Sequence, residues 1–282
     1  MAGDTRDGTI ADDSGVSLPE IDTTVAHPAR VYNYLLGGKD NFAADRKAAE
    51  HFLAGGAKIM VGVRSNRAFL GRAVRFLAGE CGIRQFLEIG TGLPSADNTH
   101  EVAQAIAPES RIAYVDNDPI VLSHANALMR SAPGGVCQYI QADIRDPGRI
   151  LKEAAATLDF GKPVAIMILM TLQYIPDADH PHQIVETLLD AVPSGSYLAL
   201  SDVALDIEAD ARVKASADNL NKEMKGTRQN LRSLEQLGAF FSGLDMVEPG
   251  LVQLPRWRPD EHGNDPARNH TLSAYCGIGR KP

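Results

Sequence analysis

The chain is poor in cysteine, in tryptophan, in basic charge and in long apolar runs, and each shortage excludes something. Its three cysteines, Cys81, Cys137 and Cys276, stand singly and far apart, without the paired spacing of a metal site or the even count of a disulfide framework. Buried apolar thiols in a reducing cytoplasm are therefore expected. The longest apolar run, Val164 to Met170, falls far short of the about 20 residues that span a bilayer, and no signal-peptide pattern opens the chain. Against 36 Asp and Glu there are 28 Lys and Arg, a net charge of −8. That balance argues against a nucleic-acid-coating surface, though not against a small basic cleft. A soluble cytoplasmic protein is expected, with 282 residues enough for one large domain and an appended segment.

What the chain does have is a stretch around which the rest can be arranged, Gln85 to Pro94, Q-F-L-E-I-G-T-G-L-P. Phe86, Leu87 and Ile89 read as a short buried strand that passes an acid and opens into a glycine turn. A strand feeding such a turn and then a helix is how α/β proteins hold a nucleotide-like ligand. Glycines at 90 and 92 allow close backbone approach because no Cβ intervenes.

In chain order, residues 1–22 read as a disordered tail. Residues 23–80 read as a helical cap: a helix from Pro28 ended by Gly37-Gly38, a second over Ala43 to Leu53 and a third over Ser65 to Leu77. Residues 81–282 then alternate. Ile112 to Val115, 136–141, Val164 to Met170 and 197–201 join the first segment as five strands. Helices are predicted between them over Ser95 to Ala107, 119–130, from Asp146-Pro147, and 181–192. Asp118-Pro119 and Asp146-Pro147 are cap-plus-proline helix starts. Strands alternating with helices signify a parallel sheet with right-handed crossovers. Helical material is expected over about 206–242, then two late strands, Met246 to Leu254 and Thr271 to Gly279, as an antiparallel edge.

Two ligand classes compete for the glycine turn. A dinucleotide wants G-x-G-x-x-G, but the third glycine is Ser95 here, and no Tyr-x-x-x-Lys couple of a short-chain reductase occurs. Glu88, two residues before Gly90, could accept from an ammonium group, which S-adenosylmethionine has and a dinucleotide lacks. Asp116 after the second strand could take both ribose hydroxyls. Asp143 after the third could accept from an adenine amino group, with the Ile144 amide meeting a ring nitrogen. Together these favour S-adenosylmethionine over a dinucleotide or an empty structural turn.

At these residues the chain resembles the S-adenosyl methyltransferase family of actinobacteria, long catalogued as a domain of unknown function. The resemblance runs from about Thr23 to the C-terminus and rests on R-V-Y-N-Y-L-L-G-G-K-D-N-F (30–42), R-Q-F-L-E-I-G-T-G-L-P (84–94), Y-V-D-N-D-P (114–119) and Q-Y-I-P-D (173–177). It implies a class I methyltransferase (Rossmann-like) α/β fold, a mostly parallel sheet with an antiparallel C-terminal strand plus the N-terminal helical cap. It also implies cofactor contacts at Glu88, Gly90, Gly92, Asp116, Asn117, Asp143 and Ile144, with Thr91 counted between the glycines. It supplies no methyl acceptor.

Methyl transfer from a sulfonium can rest on proximity and orientation, with a general base needed only for an acceptor that must lose its proton. After strand four, Met170 to Asp177 carries neither the Asn/Asp-Pro-Pro-aromatic box of amino-methylating nucleic-acid enzymes nor a Pro-Cys nucleophile, which points to a small-molecule acceptor. Tyr174 there could line its pocket or pack under a loop. His180 and His182, Asp177 and Asp179 are more simply capping or solvent-facing groups, and Trp257 with its flanking arginines could contact an acceptor but is more simply surface packing between loop and sheet. No residue is assigned as a catalyst. The segment Tyr32 to Arg46 is expected to close over the cofactor, with Tyr34 and Asn41 as contacts; a helical pair covering a sheet edge is its plainer reading. The function expected is an S-adenosylmethionine-dependent methyltransferase, with a cofactor-binding protein without turnover as the alternative.

Overall fold

Leu87, Ile89, Ile112, Val115, Ile166 and Ile168 are all fully buried, as strands covered on both faces require. The computed structural model describes residues 21–56, 58–121, 131–205, 211–224, 226–259 and 270–282. Strands β1 (Gln85–Ile89), β2 (Arg111–Asp116), β3 (Val136–Gln141), β4 (Ala165–Leu169) and β5 (Tyr197–Leu205) run parallel to their neighbours. Short strands β6 (Arg232–Ser233), β7 (Asp245–Met246) and β8 (Val252–Gln253) precede β9 (Ala274–Arg280). The spatial order is β3-β2-β1-β4-β5-β9-β7, with β6 beside the end of β5 and β8 beside β9. β9 is antiparallel to β5, β7 and β8. The sheet is therefore mostly parallel with an antiparallel C-terminal edge, as expected. Strand order reverses between β1 and β4, which opens a crevice at the carboxyl ends of the strands.

Helices α1 (Pro28–Leu35), α2 (Ala43–Ala54) and α3 (Ile59–Arg75) precede the sheet. α4 (Thr99–Ile106), α5 (Pro147–Ala154), α6 (Pro181–Asp190), α7 (Ala211–Glu223) and α8 (Leu234–Gly238) follow. One sheet face is covered by α3 through Phe69, Leu70 and Val74, joined by Trp257. The other is covered by Ile150, Ile184, Leu188 and Leu237 of α5, α6 and α8. A third cluster joins α1 and α2 to α7 through Val31, Leu35, Ala48, Ala49 and Leu220. No described helix is long and apolar enough to cross a membrane.

Several expectations change in detail. α3 starts at Ile59 rather than Ser65 and packs on the sheet, so the helices before β1 divide between a sheet layer (α3) and a separate pair (α1, α2). Of the helix expected over 119–130, only its first turn is described, and most of the expected tail (1–20) lies outside the described residues. The helix expected over 206–242 is replaced, within the described residues, by α7, a non-helical strap at 226–231, β6 and α8. Gly226 sits at φ 81, which ends helical continuation. Ser233 starts α8 with a reciprocal capping box to Gln236. The strand expected over Met246 to Leu254 is two short pairings, because the chain turns between them, with the Gly250 amide donating to the Val247 carbonyl.

Trp257 does not lie on the surface. It is fully buried, with Phe69 and Phe76 edge-on to it at 5.3 and 5.7 Å. The buried Arg72 donates to the Trp257 and Leu254 carbonyls at 2.8 and 2.7 Å. Arg258 lies 4.1 Å over the Phe76 ring. This cluster anchors a loop to the core.

Candidate active site

The turn after β1 is shaped by what surrounds each glycine. Gly90 has φ 74, and a Cβ there would overlap the Thr171 side chain. Thr171 itself donates to the carbonyls of Ile89 and Leu169, bridging β1 to β4. Gly92 has φ 66 and faces open space. Its amide donates to Asp116 Oδ2 at 2.7 Å, while Asp116 Oδ1 accepts from the Asp118 amide at 2.9 Å. Asp116 thus holds the glycine turn as well as ending β2.

These ends enclose a cavity of about 310 Å³. Eight of the ten residues singled out from the sequence line it: Glu88, Gly90, Thr91 and Gly92 from the first turn, Asp116 and Asn117 from the second, Asp143 and Ile144 from the third. Tyr34 and Asn41 do not. The Tyr34 hydroxyl points to Glu50, 3.5 Å away. Asn41 donates to Asn33 Oδ1 and the Gly38 carbonyl, which clips the G-G-K-D-N turn. Of the segment Tyr32 to Arg46, the cavity meets Tyr32 alone. Its hydroxyl donates to the Val63 carbonyl at 3.2 Å and accepts from Asn66 at 3.1 Å. The rest of the cover comes from His27, Pro28 and Ala29, from Asn66 and Arg67 of α3, and from the strap, including Thr227 and Asn230.

Glu88 is 5% exposed. Thr91 donates to its Oε1 at 3.3 Å, and Oε2 is buried. Burial pushes its pKa above the ordinary carboxylate value; the Thr99 hydroxyl and the Arg67 charge offset this in part, and the Asp116 charge adds to it. Burial likewise raises Asp116, against the Asp118 and Gly92 amides and the His27 charge. Asp143 differs. Although burial opposes ionisation there too, Arg145 holds it in two short bonds of 2.9 and 2.8 Å and keeps its pKa below the usual value.

Two features were not legible in the sequence. The first is Arg67, which donates to the Ala96 and Asp97 carbonyls and faces the cavity. The second is a charge cluster behind the second turn. Asp118 Oδ1 caps the next helix through the Ile120 amide. Its Oδ2 lies 3.1 Å from both His27 Nδ1 and Arg30 Nε. Asp45, fully buried, accepts from the His27 and Phe42 amides and lies 3.8 Å from Arg30. α1 is thereby tied to the end of β2.

On the other side of the crevice, Met170 ends β4 at φ 54. Gln173 donates to its carbonyl and accepts from Gln229. Arg232 donates to the Leu172 and Ile175 carbonyls and to Asp177. Tyr174 lines the cavity and is half-buried. His180 and His182 do not line it: His180 is a left-handed residue before α6, and His182 stacks on Phe240 at 3.9 Å. Asp177 and Asp179 pair with Arg232 and Arg145. No metal-binding group occurs among the described residues.

An acidic pair and a glycine turn open on one side suit a nucleoside that carries an ammonium group. The comparisons agree. A model of the S-adenosyl methyltransferase family matches residues 15–282. A DUF574 family protein from Streptomyces avermitilis MA-4680 is 41% identical, with a TM-score of 0.88, over 93% of this chain and 100% of that one. A Thermobifida fusca YX protein provisionally assigned as a methyltransferase is 39% identical, with a TM-score of 0.82, over 93% of this chain and 97% of that one. The plantazolicin methyltransferase BpumL, 11% identical over 90% of this chain and 96% of that one, shares the fold at a TM-score of 0.50. No curated protein sequence matches. The chain belongs to the S-adenosyl methyltransferase family: it is a methyltransferase whose cofactor is S-adenosylmethionine.

Proposed function

We propose that the cavity over β1, β2 and β3 holds S-adenosylmethionine and that the chain methylates a small molecule. The observation that carries this reading is Glu88, a buried carboxylate that lines the cavity beside the glycine turn. A charge-assisted hydrogen bond from an ammonium donor would favour its ionised form against the desolvation that opposes it. Glu88 is assigned to the cofactor's ammonium and Arg67 to its carboxylate. Asp116 takes the ribose hydroxyls. Gly90, Thr91 and Gly92 let the backbone come close, and Asn117, Asp143 and the Ile144 amide border the adenine. The Asp143 oxygens are already shared with Arg145, so we give Asp143 a shaping role more than a bonding one. When bound, the cofactor supplies an electrophilic methyl on a sulfonium, which an acceptor heteroatom takes as the carbon–sulfur bond breaks.

The protein's part is then orientation and exclusion of water. α1 and the 226–230 strap cover the crevice, and the Arg30–Asp118 pair fixes α1 against the second turn. A small-molecule acceptor follows from the enclosed crevice and from the absence of either nucleic-acid signature between Met170 and Asp177.

The test is a melting experiment. S-adenosylmethionine or S-adenosylhomocysteine at a hundred times its dissociation constant should add about 2.7 kcal/mol, which is several degrees at this size. NAD and NADP should add nothing. A larger shift with NAD, or none with either sulfur compound, overturns the reading.

A further inference from the structure

We propose that a second cavity, bounded by α1, α3, α7 and the start of β9, is the methyl-acceptor pocket, and that it takes a neutral, mostly apolar small molecule presenting one hydroxyl or amine. This rests on the cofactor reading above. The cavity has a volume of about 290 Å³ and shares Pro28, Tyr32, Met170, Gln173 and Tyr174 with the first. The two cavities therefore adjoin along these residues, and an occupant's hydroxyl or amine would meet the cofactor's methyl where they join. Met170, at that junction, is held in a left-handed conformation by its own amide, which donates to the Ser201 carbonyl at 2.8 Å, and by Gln173. Such conformations cost about 1–3 kcal/mol and cluster where a site needs a particular backbone path.

The lining states the chemistry of the occupant. Val31, Leu35, Phe52, Ile59, Val63 and Leu272 give it an apolar body. Lys58 is the one charged side chain among the described residues that line it, and Lys58 is exposed, with its ammonium group near the Thr271 carbonyl. A ligand with a buried charge would find no partner there. The other polar groups are amides, phenols and the hydroxyls of Thr271 and Ser273. Gln229 is 7% exposed; its Nε2 donates to Gln173, and its Oε1 is buried without a partner. A hydroxyl or amine can pair with wall groups such as the Gln229 amide and the Tyr174 phenol. Burial and the neighbouring Asp202 charge raise the pKa of Tyr174, so its phenol stays protonated and serves as a donor on the shared wall. In the transfer, the ligand's oxygen or nitrogen gains the methyl, its proton passes to water, and the sulfonium becomes a neutral thioether.

The probe is 2-naphthol, added to the protein saturated with S-adenosylhomocysteine and followed by saturation-transfer NMR and calorimetry. It should bind one to one without displacing the nucleoside, and the anionic 2-naphthoate should bind at least tenfold more weakly. Gly62 lines only the second cavity, and a Cβ there meets no atom within 4 Å. Gly62→Leu should therefore fold, keep its nucleoside affinity within twofold and lose at least tenfold in 2-naphthol affinity. Val213→Phe, on α7, should do the same from the opposite wall. Gln229→Leu should abolish the preference for 2-naphthol over naphthalene. Displacement of the nucleoside by 2-naphthol, no 2-naphthol binding to the wild type, or unchanged binding in both blocking variants overturns the proposal. Failure of the wild type to bind S-adenosylhomocysteine overturns the cofactor reading beneath it instead.

Discussion

The two cavities meet across Tyr32, Met170 and Tyr174, yet they are built in opposite ways. The first draws its floor from three short turns at successive strand ends, each with an acid at a fixed place, two of them buried at Glu88 and Asp116. The second has no acid in its described wall and takes its lining from α1, α2, α3, α7, the β4 turn and the start of β9. Charged groups of a cofactor must be met by particular side chains and amides at hydrogen-bond distance, so that half of the site is confined to motifs. An apolar surface asks only for shape and exclusion of water, and any element that passes nearby can contribute.

If the first cavity depends on backbone shape, its two glycines should fail in different ways. Gly90→Ala puts a Cβ into Thr171 and holds an alanine at φ 74. Strain and overlap together should cost about 2–5 kcal/mol of stability. Thr171→Ala in the same chain should recover part of it, a coupling that a double-mutant cycle measures. Gly92→Ala meets no atom within 4 Å and should lose only the backbone term, about 1–2 kcal/mol. Its methyl should still weaken cofactor binding, because Gly92 borders the cavity. Chemical denaturation and calorimetry on the three variants would check this; equal losses of stability from the two glycines would break the distinction.

Asp116 sharpens the same contrast. An acid at an open strand end reads as a pure ligand contact, but both its oxygens already accept backbone amides. Asp116→Asn sets an amide NH₂ against one of those N–H donors and removes the charge. Cofactor affinity should fall by on the order of 1.5–3 kcal/mol, and stability should fall as well. Unchanged stability would mean that the Gly92 turn holds itself.

The sequence carried the parallel alternation and the three acid-bearing turns, because strand periodicity and turn chemistry are local. It did not carry which tyrosine of the first helix meets the cavity. Tyr32 and Tyr34 differ only in how α1 is rotated, and that is fixed by Arg30 reaching Asp118 and by Asn66 reaching Tyr32, contacts between distant parts of the chain. The strap at 226–231 was hidden for a similar reason. Its residues favour no element of their own and are held by Gln173, which accepts from the Asn230 amide and from Gln229. Trp257 read as a loop residue because nothing local reveals that Arg72 satisfies the carbonyls around it.

The smallest effect expected is a pH dependence set by Glu88 in the first cavity. Burial raises the pKa of Glu88 above 4.5 in the free protein, whereas an ammonium ligand needs the carboxylate ionised. Below the raised pKa, binding must first expel a proton, so affinity should fall with decreasing pH, by at most about tenfold per unit. Above it, affinity should level off. The stability of the free protein runs the other way: an acid whose folded pKa lies above its unfolded one loses stability as pH climbs from the unfolded value through the folded one. Cofactor-induced stabilisation should therefore grow across that window. Glu88→Gln should flatten the slope and leave only the part due to Asp116, whose pKa burial also raises. Binding of 2-naphthol should carry no Glu88 contribution: any change over the same range comes from Asp202, buried behind Tyr174 with its pKa raised to about 7, and should be the same in Glu88→Gln. Calorimetry from pH 5 to 8 with S-adenosylhomocysteine, and with 2-naphthol on the saturated protein, reads both ligands. A Glu88→Gln protein that keeps the full pH slope would mean that another group meets the ammonium.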